Sequence, residues 1–103
     1  METFHHISVA DVAARAADVT VVDIRDPQSF ALSHMPGATH LSNDNFAAFL
    51  SSTAKDTPVV VVCYHGISSQ QAARVVAAQG FTEVYSMDGG FEAWRQQQPV
   101  ISE

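Results

Sequence analysis

The chain has 103 residues, enough for one domain with one hydrophobic core and too few for a second. Hydrophobic residues make up 47% and charged residues 16%, a globular and not a disordered balance; with a net charge of −6, the five scattered cations Arg15, Arg25, Lys55, Arg74 and Arg95 argue against a nucleic-acid partner. The single cysteine rules out an internal disulfide, a CxxC redox pair and a zinc site built from cysteines.

The N-terminal stretch METFHHISVADVAARAADV lacks a basic start followed by an apolar block, so it does not read as a signal peptide. The longest apolar run falls far short of the ~20 residues that span a bilayer. The expectation is a soluble, cytoplasmic protein with a reduced thiol and no membrane partner.

Ser8 followed by Asp11 resembles a capping box, and Val9, Val12, Ala13, Ala16 and Ala17 then recur at helical spacing. Val19 to Ile24 is a β-branched run of strand length. Asp26-Pro27 starts a short helix through Phe30 and Leu32, which must end near Met35 because Pro36 and Gly37 stop it. Ala38 to Leu41 is a short strand. Asn43 or Asp44 is positioned to cap a helix carrying Phe46, Phe49 and Leu50. Thr57-Pro58 opens the strand Val59 to Val62. Ser68 and Gln71 have capping-box spacing, and the helix they open ends at Gly80. Val84 to Met87 is a last strand, and Asp88-Gly89-Gly90 leads into a helix with Phe91 and Trp94. Strands alternating with helices imply an α/β fold, a mostly parallel sheet flanked by helices on both faces. Residues 1–103 form the one domain.

Ligands of such sheets gather at the carboxyl ends of the strands, and Cys63 ends the most apolar strand. A cysteine there is either a small buried hydrophobe or a nucleophile. The residues after Cys63 favour the nucleophile. Gly66 lets the backbone turn tightly, and a helix starts at about Ser68 or Ser69. The loop Tyr64, His65, Gly66, Ile67, Ser68, Ser69 can then curl its N–H groups around the sulfur, an arrangement that favours negative charge. A free thiol titrates near ~8.5, and lowering that by ~2 units takes ~2.7 kcal/mol. A helix end supplies up to ~2 kcal/mol and a hydrogen bond to a charged group a similar amount. A protonated His65 would add to this.

Asp23 and Arg25, at the end of the neighbouring strand, are read as loop braces, with Arg25 as a possible source of charge for the site. His34, before Met35-Pro36-Gly37, is read as fixing a turn. His5, His6 and His40 are structural or surface residues, Arg74 lies on the surface, and Phe91 and Trp94 belong to the core.

In three segments the sequence resembles the single-domain rhodaneses. Cys63 to Ser69 (CYHGISS) is similar to their active-site loop. Val21 to Leu41 resembles their D-x-R segment followed by G-H-I-P-G-A, and Asp88 to Trp94 resembles their G-G-x-x-x-W motif. The resemblance implies a five-stranded sheet and a thiosulfate sulfurtransferase working through a Cys63 persulfide. Thiosulfate would be the donor, cyanide, thioredoxin or another dithiol the acceptor, and no metal or organic cofactor is implied. Tyr64, His65, Gly66, Ile67, Ser68 and Ser69 would bind the substrate. The chain departs from the family at Ser68, where many members carry Arg, which implies modest affinity for a dianion. Ser33 replaces a glycine, Ser29 stands where an acidic residue is common, and Ile67 takes a polar side chain from the loop.

Two rivals remain. A related phosphatase or arsenate reductase needs an arginine six residues after the cysteine to grip the oxyanion, and that position is Ser69. A rhodanese-like sulfur carrier or binding module that does not turn over keeps the same residues and differs only in cycling.

Overall fold

The computed structural model describes residues 3–102; Met1, Glu2 and Glu103, which the one-domain and signal-peptide readings include, lie outside the described residues. The elements along the chain are β1 (His5–Ile7), α1 (Val9–Ala14), β2 (Thr20–Asp23), α2 (Pro27–Leu32), β3 (Thr39–His40), α3 (Phe46–Ser52), β4 (Val59–Val62), α4 (Ser68–Ala78), β5 (Val84–Met87) and α5 (Gly90–Gln97). The strands form one sheet in the order β1-β5-β4-β2-β3, and every adjacent pair is parallel.

Strand β4 lies in the middle and explains its own sequence. Val60 and Val62 enter a core with Val9, Val12, Met87, Phe91 and Trp94, contributed by α1, β5 and α5. Val59 and Val61 enter a second core with Ala73, Val76, Ala77 and Phe81 from α4 and its exit, flanked by Phe46, Phe49 and Leu50 of α3. A strand between two helical layers has no polar face, so it does not alternate. All four valines are completely buried, each worth roughly 1.5 kcal/mol or more.

Two helix starts are built as the sequence indicates. The Ser8 hydroxyl accepts from the Asp11 N–H, and the Asp26 carboxylate accepts from the Ser29 N–H with Pro27 in the first turn. Two others differ. Helix α3 starts one residue beyond the expected cap, after Asn45, whose amide instead accepts from the Ser42 N–H and donates to the His40 carbonyl. Helix α4 has no Ser68–Gln71 box: its N-cap residue is Ile67, which makes no capping bond. The reason is that the sulfur of Cys63 takes the cap position. Helix α1 stops at Ala14, short of Ala16 and Ala17. Strand β1 was not legible as an element; it exists by pairing His5, His6 and Ile7 with Tyr85, Ser86 and Met87.

Candidate active site

Cys63 leaves the end of β4 buried, 4% exposed, with its thiol unbridged. The chain then turns back on itself. The N–H of Gly66 and the N–H of Ser69 both donate to Cys63 Sγ at 3.2 Å. The sulfur therefore sits where a serine or aspartate oxygen would cap α4, which is why the expected side-chain cap is absent. An anion is the better occupant of that position, because the first-turn N–H groups carry the positive end of the helix.

The glycines make the geometry possible. Gly66 has φ +84°, and a Cβ on it would lie 2.8 Å from the Gly89 nitrogen and 3.0 Å from the Met87 carbonyl oxygen. Gly90 is tighter: its Cβ would fall 2.6 Å from the carbonyl oxygen of Cys63, the nitrogen of His65 and the carbonyl carbon of Tyr64. That approach lets the start of α5 meet the loop backbone directly. The Phe91 N–H donates to the Cys63 carbonyl at 2.8 Å and the Glu92 N–H to the Tyr64 carbonyl at 3.1 Å. With those carbonyls held outward by α5, the loop N–H groups are left to turn inward toward the sulfur.

Two opposing effects act on the thiol. Burial pushes its pKa up. The Ser69 hydroxyl, followed by the N–H groups of Ser69, His65 and Gly66, outweighs burial and holds the thiol below its ordinary value. No charged side chain is needed for this.

The expected loop residues divide into two groups. Gly66 and Ser69 are buried and turned toward the sulfur. Tyr64, His65, Ile67 and Ser68 are exposed around it, Ile67 at 74%. The His65 backbone N–H contributes to the thiol's shift, while its ring faces out, 6.5 Å from the Tyr64 ring centroid. Tyr64 reaches away from the sulfur to the start of α2, where its hydroxyl bonds the Asp26 carboxylate and lies 2.8 Å from Ser29 Oγ. The Tyr64 hydroxyl, then the Ser29 N–H and hydroxyl, hold the Asp26 carboxyl down at about 2. Position 69, where a phosphatase would place its arginine, carries a buried hydroxyl 2.7 Å from Ser86 Oγ.

Arg25 is a brace. It and Asp23 are buried, their ion pair closes at 2.8 Å, and Arg25 also donates to the Ser33 carbonyl. Its guanidinium lies 3.9 Å from the Phe91 ring centroid, tying the end of β2 to α5. His34 is buried against Phe30, stacked at 3.9 Å and bonded through Nδ1 to the Phe30 carbonyl, which fixes the turn after α2. His6, read as a structural or surface residue, is exposed and pairs with Asp88 at 2.7 Å. Register alone brings these together: β1 lies beside β5, so a residue from each end of the chain meets at one sheet edge.

The comparisons with known proteins agree with this architecture. A family model described as a rhodanese-like domain matches residues 8–97. Over 100 residues the chain is 52% identical to the thiosulfate sulfurtransferase GlpE of Pseudomonas entomophila, covering 96% of this chain and 92% of that protein. The solution structure of a rhodanese-like domain from Anabaena has a TM-score of 0.87 at 21% identity, covering 98% of this chain and 81% of that one. A rhodanese-related protein from Thermoplasma volcanium has a TM-score of 0.83 at 23% identity, covering 97% and 100%. At those identities the two structures speak for the fold alone.

Proposed function

The chain belongs to the rhodanese-like domain family, and from that premise we propose that it is a thiosulfate sulfurtransferase whose sulfur-carrying nucleophile is Cys63. The observation that carries this reading is the pair of N–H groups, from Gly66 and Ser69, converging on one buried sulfur at 3.2 Å.

The Cys63 thiolate attacks the outer sulfur of thiosulfate. The sulfur–sulfur bond of the donor breaks, sulfite leaves with the bonding electrons, and the enzyme holds Cys63–S–S⁻. The loop N–H groups that stabilised the thiolate remain in place for the persulfide, whose charge now lies on the outer atom. Tyr64, His65, Ile67 and Ser68 line the mouth through which donor and acceptor enter. Cyanide takes the outer sulfur as thiocyanate and restores the thiolate. In the cell we assign the acceptor role to thioredoxin or another dithiol, in the cytoplasm, where a lone cysteine stays reduced.

Thiosulfate binding is expected to be modest. All five cations have partners elsewhere: Arg15 with Glu83, Arg25 with Asp23, Arg95 with Glu92, Arg74 over Phe4 and Lys55 over Phe81. The dianion therefore meets N–H and hydroxyl donors in place of a guanidinium.

Intact mass spectrometry tests the reading: the protein untreated, after thiosulfate, and after thiosulfate then cyanide. The expected result is a gain of one sulfur atom that cyanide removes and that Cys63→Ser never acquires. Absence of added sulfur in every condition would return Cys63 to a structural role. Loading once without cycling would identify a carrier.

A further inference from the structure

Asp26 lies beside Cys63 at the end of the neighbouring strand. Strands β2 and β4 run parallel with Asp23 opposite Val62, and the Ile24 N–H donates to the Val62 carbonyl at 2.9 Å. Cys63 follows Val62 directly and Asp26 follows Ile24 by two residues, so both leave the sheet at the same edge. Tyr64, adjacent to Cys63, bridges them: its hydroxyl bonds the Asp26 carboxylate. That carboxylate is exposed, and its other partners are the N–H and hydroxyl of Ser29, at 3.0 Å and 2.9 Å. All of these donors are neutral, so the carboxylate keeps its full negative charge at neutral pH.

The other carboxylates around the loop each face a base. Asp23 forms a buried ion pair with Arg25 at 2.8 Å. Glu92, whose N–H holds the Tyr64 carbonyl, faces Arg95 at 3.7 Å. Asp88, whose backbone borders Gly66, meets His6 at 2.7 Å. Among the described residues no cation pairs with Asp26. An anion approaching the sulfur therefore passes one carboxylate that nothing offsets, and a cation is drawn to it. We propose that Asp26 is a specificity-determining residue: its charge disfavours small anionic sulfur donors and acceptors and favours partners that carry a cation beside the reacting sulfur. The discrimination works by repulsion as well as attraction and leaves the chemistry at Cys63 untouched.

This inference rests on the reading of Cys63 as the nucleophile, but the first arm of its test needs no sulfur transfer. Cys63 is alkylated by neutral iodoacetamide and by anionic iodoacetate, each followed by intact mass above the pH midpoint of the thiol, where thiolate is the main form. The ratio of the two rates cancels the reactivity of the thiolate itself and reads the charge that an incoming anion meets. The second arm loads the persulfide from thiosulfate and unloads it with cysteamine or with 3-mercaptopropionate, which carry an ammonium and a carboxylate respectively. With either, the acceptor thiolate attacks the outer, protonated sulfur and the bond to Cys63 breaks. The acceptor leaves as its persulfide and Cys63 returns as thiolate.

Asp26→Asn and Asp26→Ser both remove the charge and keep a good N-cap for α2. At low ionic strength Asp26→Asn is expected to raise the iodoacetate-to-iodoacetamide ratio about twofold and kcat/KM for the thiosulfate dianion about threefold. The preference for cysteamine over 3-mercaptopropionate should fall about threefold, because the two differ by two charges. Asp26→Ser should do the same, and every change should vanish in about 1 M salt, where the screening length is ~3 Å. Asp18→Asn, an exposed carboxylate just before β2 at the opposite end of the sheet, should change none of these ratios. Unchanged ratios in both Asp26 variants, equal acceleration of neutral and anionic reagents, an effect that survives high salt, or the same shift from Asp18→Asn would each overturn the assignment. The expected alkylation ratios in a protein that never acquires sulfur would instead count against the proposed function.

Discussion

Four of the helix starts in this chain solve one problem in two ways. The first turn of any helix has N–H groups with no partner in the helix. At α1 and α2 a side chain from the same helix start, Ser8 or Asp26, takes one of them. At α4 and α5 no side chain of the helix start itself does: the cap positions hold Ile67 and Gly89. Their N–H groups are instead directed at the segment after β4. Helix α4 gives one to the sulfur of Cys63, and α5 gives two to the carbonyls of Cys63 and Tyr64. The capped starts serve the stability of their own helices. The uncapped ones hold a loop between them and set the charge of one atom.

The largest test of this contrast removes the space between α5 and the loop. Gly90→Val would place a branched side chain where even a Cβ lies 2.6 Å from three backbone atoms, at φ +62°. It is expected to cost roughly 3 kcal/mol or more in stability and over about a hundredfold in kcat/KM, read by chemical denaturation and steady-state sulfur transfer. Gly66→Val comes next, with its Cβ 2.8 Å from the Gly89 nitrogen. A loss of about 2 kcal/mol and tenfold or more in activity is expected, together with a rise in the alkylation midpoint of Cys63. An active, stable Gly66→Val would show that the loop N–H array matters less than its geometry implies.

The parent enzyme should show a Cys63 midpoint below that of a free thiol, near ~8.5. The sign comes from the lowered pKa: thiolate reactivity stays level above the midpoint and falls tenfold per pH unit well below it. A midpoint at or above the free-thiol value would mean that burial wins over the four donors.

The capped helices should behave in the opposite way. Ser8→Ala is expected to cost about 1 kcal/mol of stability and leave both the Cys63 midpoint and kcat/KM unchanged. The smallest effect belongs to Tyr64→Phe, which removes the hydroxyl between loop and α2: about a twofold change in activity, visible in a kinetic comparison. Because Asp26 titrates at about 2, that bond is in place throughout any ordinary assay range and adds no limb to the pH profile.

Much of the fold was legible because its determinants are local. The valines of β4 marked a strand buried on both faces, Val84–Met87 was read to its ends, and the Ser8 and Asp26 caps could be recognised from their spacing. What escaped depends on distant partners. Three residues, His-His-Ile, carry no strand signal of their own; β1 is made by β5, eighty residues away. The Ser68–Gln71 box had the right spacing, but the sulfur of Cys63, just past the preceding strand, takes the cap position. Cys63, Gly66 and Ser69 were found as a group because they lie within one loop. Ser86 and Gly90 lie beyond it in sequence, and nothing in YSM or GGF distinguishes a core-strand hydroxyl or a helix-start glycine that touches the site. The double glycine was visible as part of a resemblance, yet its physical reason appears only when a Cβ is placed on it.

The contact between α5 and the Cys63 carbonyl also orders events during synthesis. Translation produces Cys63 well before Phe91 and Glu92, whose N–H groups hold the loop open toward the sulfur. An emerging chain that ends before α5 carries the cysteine without the framework that ionises it. Its thiol is then an ordinary one, largely protonated at neutral pH and slow to react with stray electrophiles and disulfides. Reactivity arrives with α5, so the sulfur stays chemically quiet until that helix has been made and has docked on the loop.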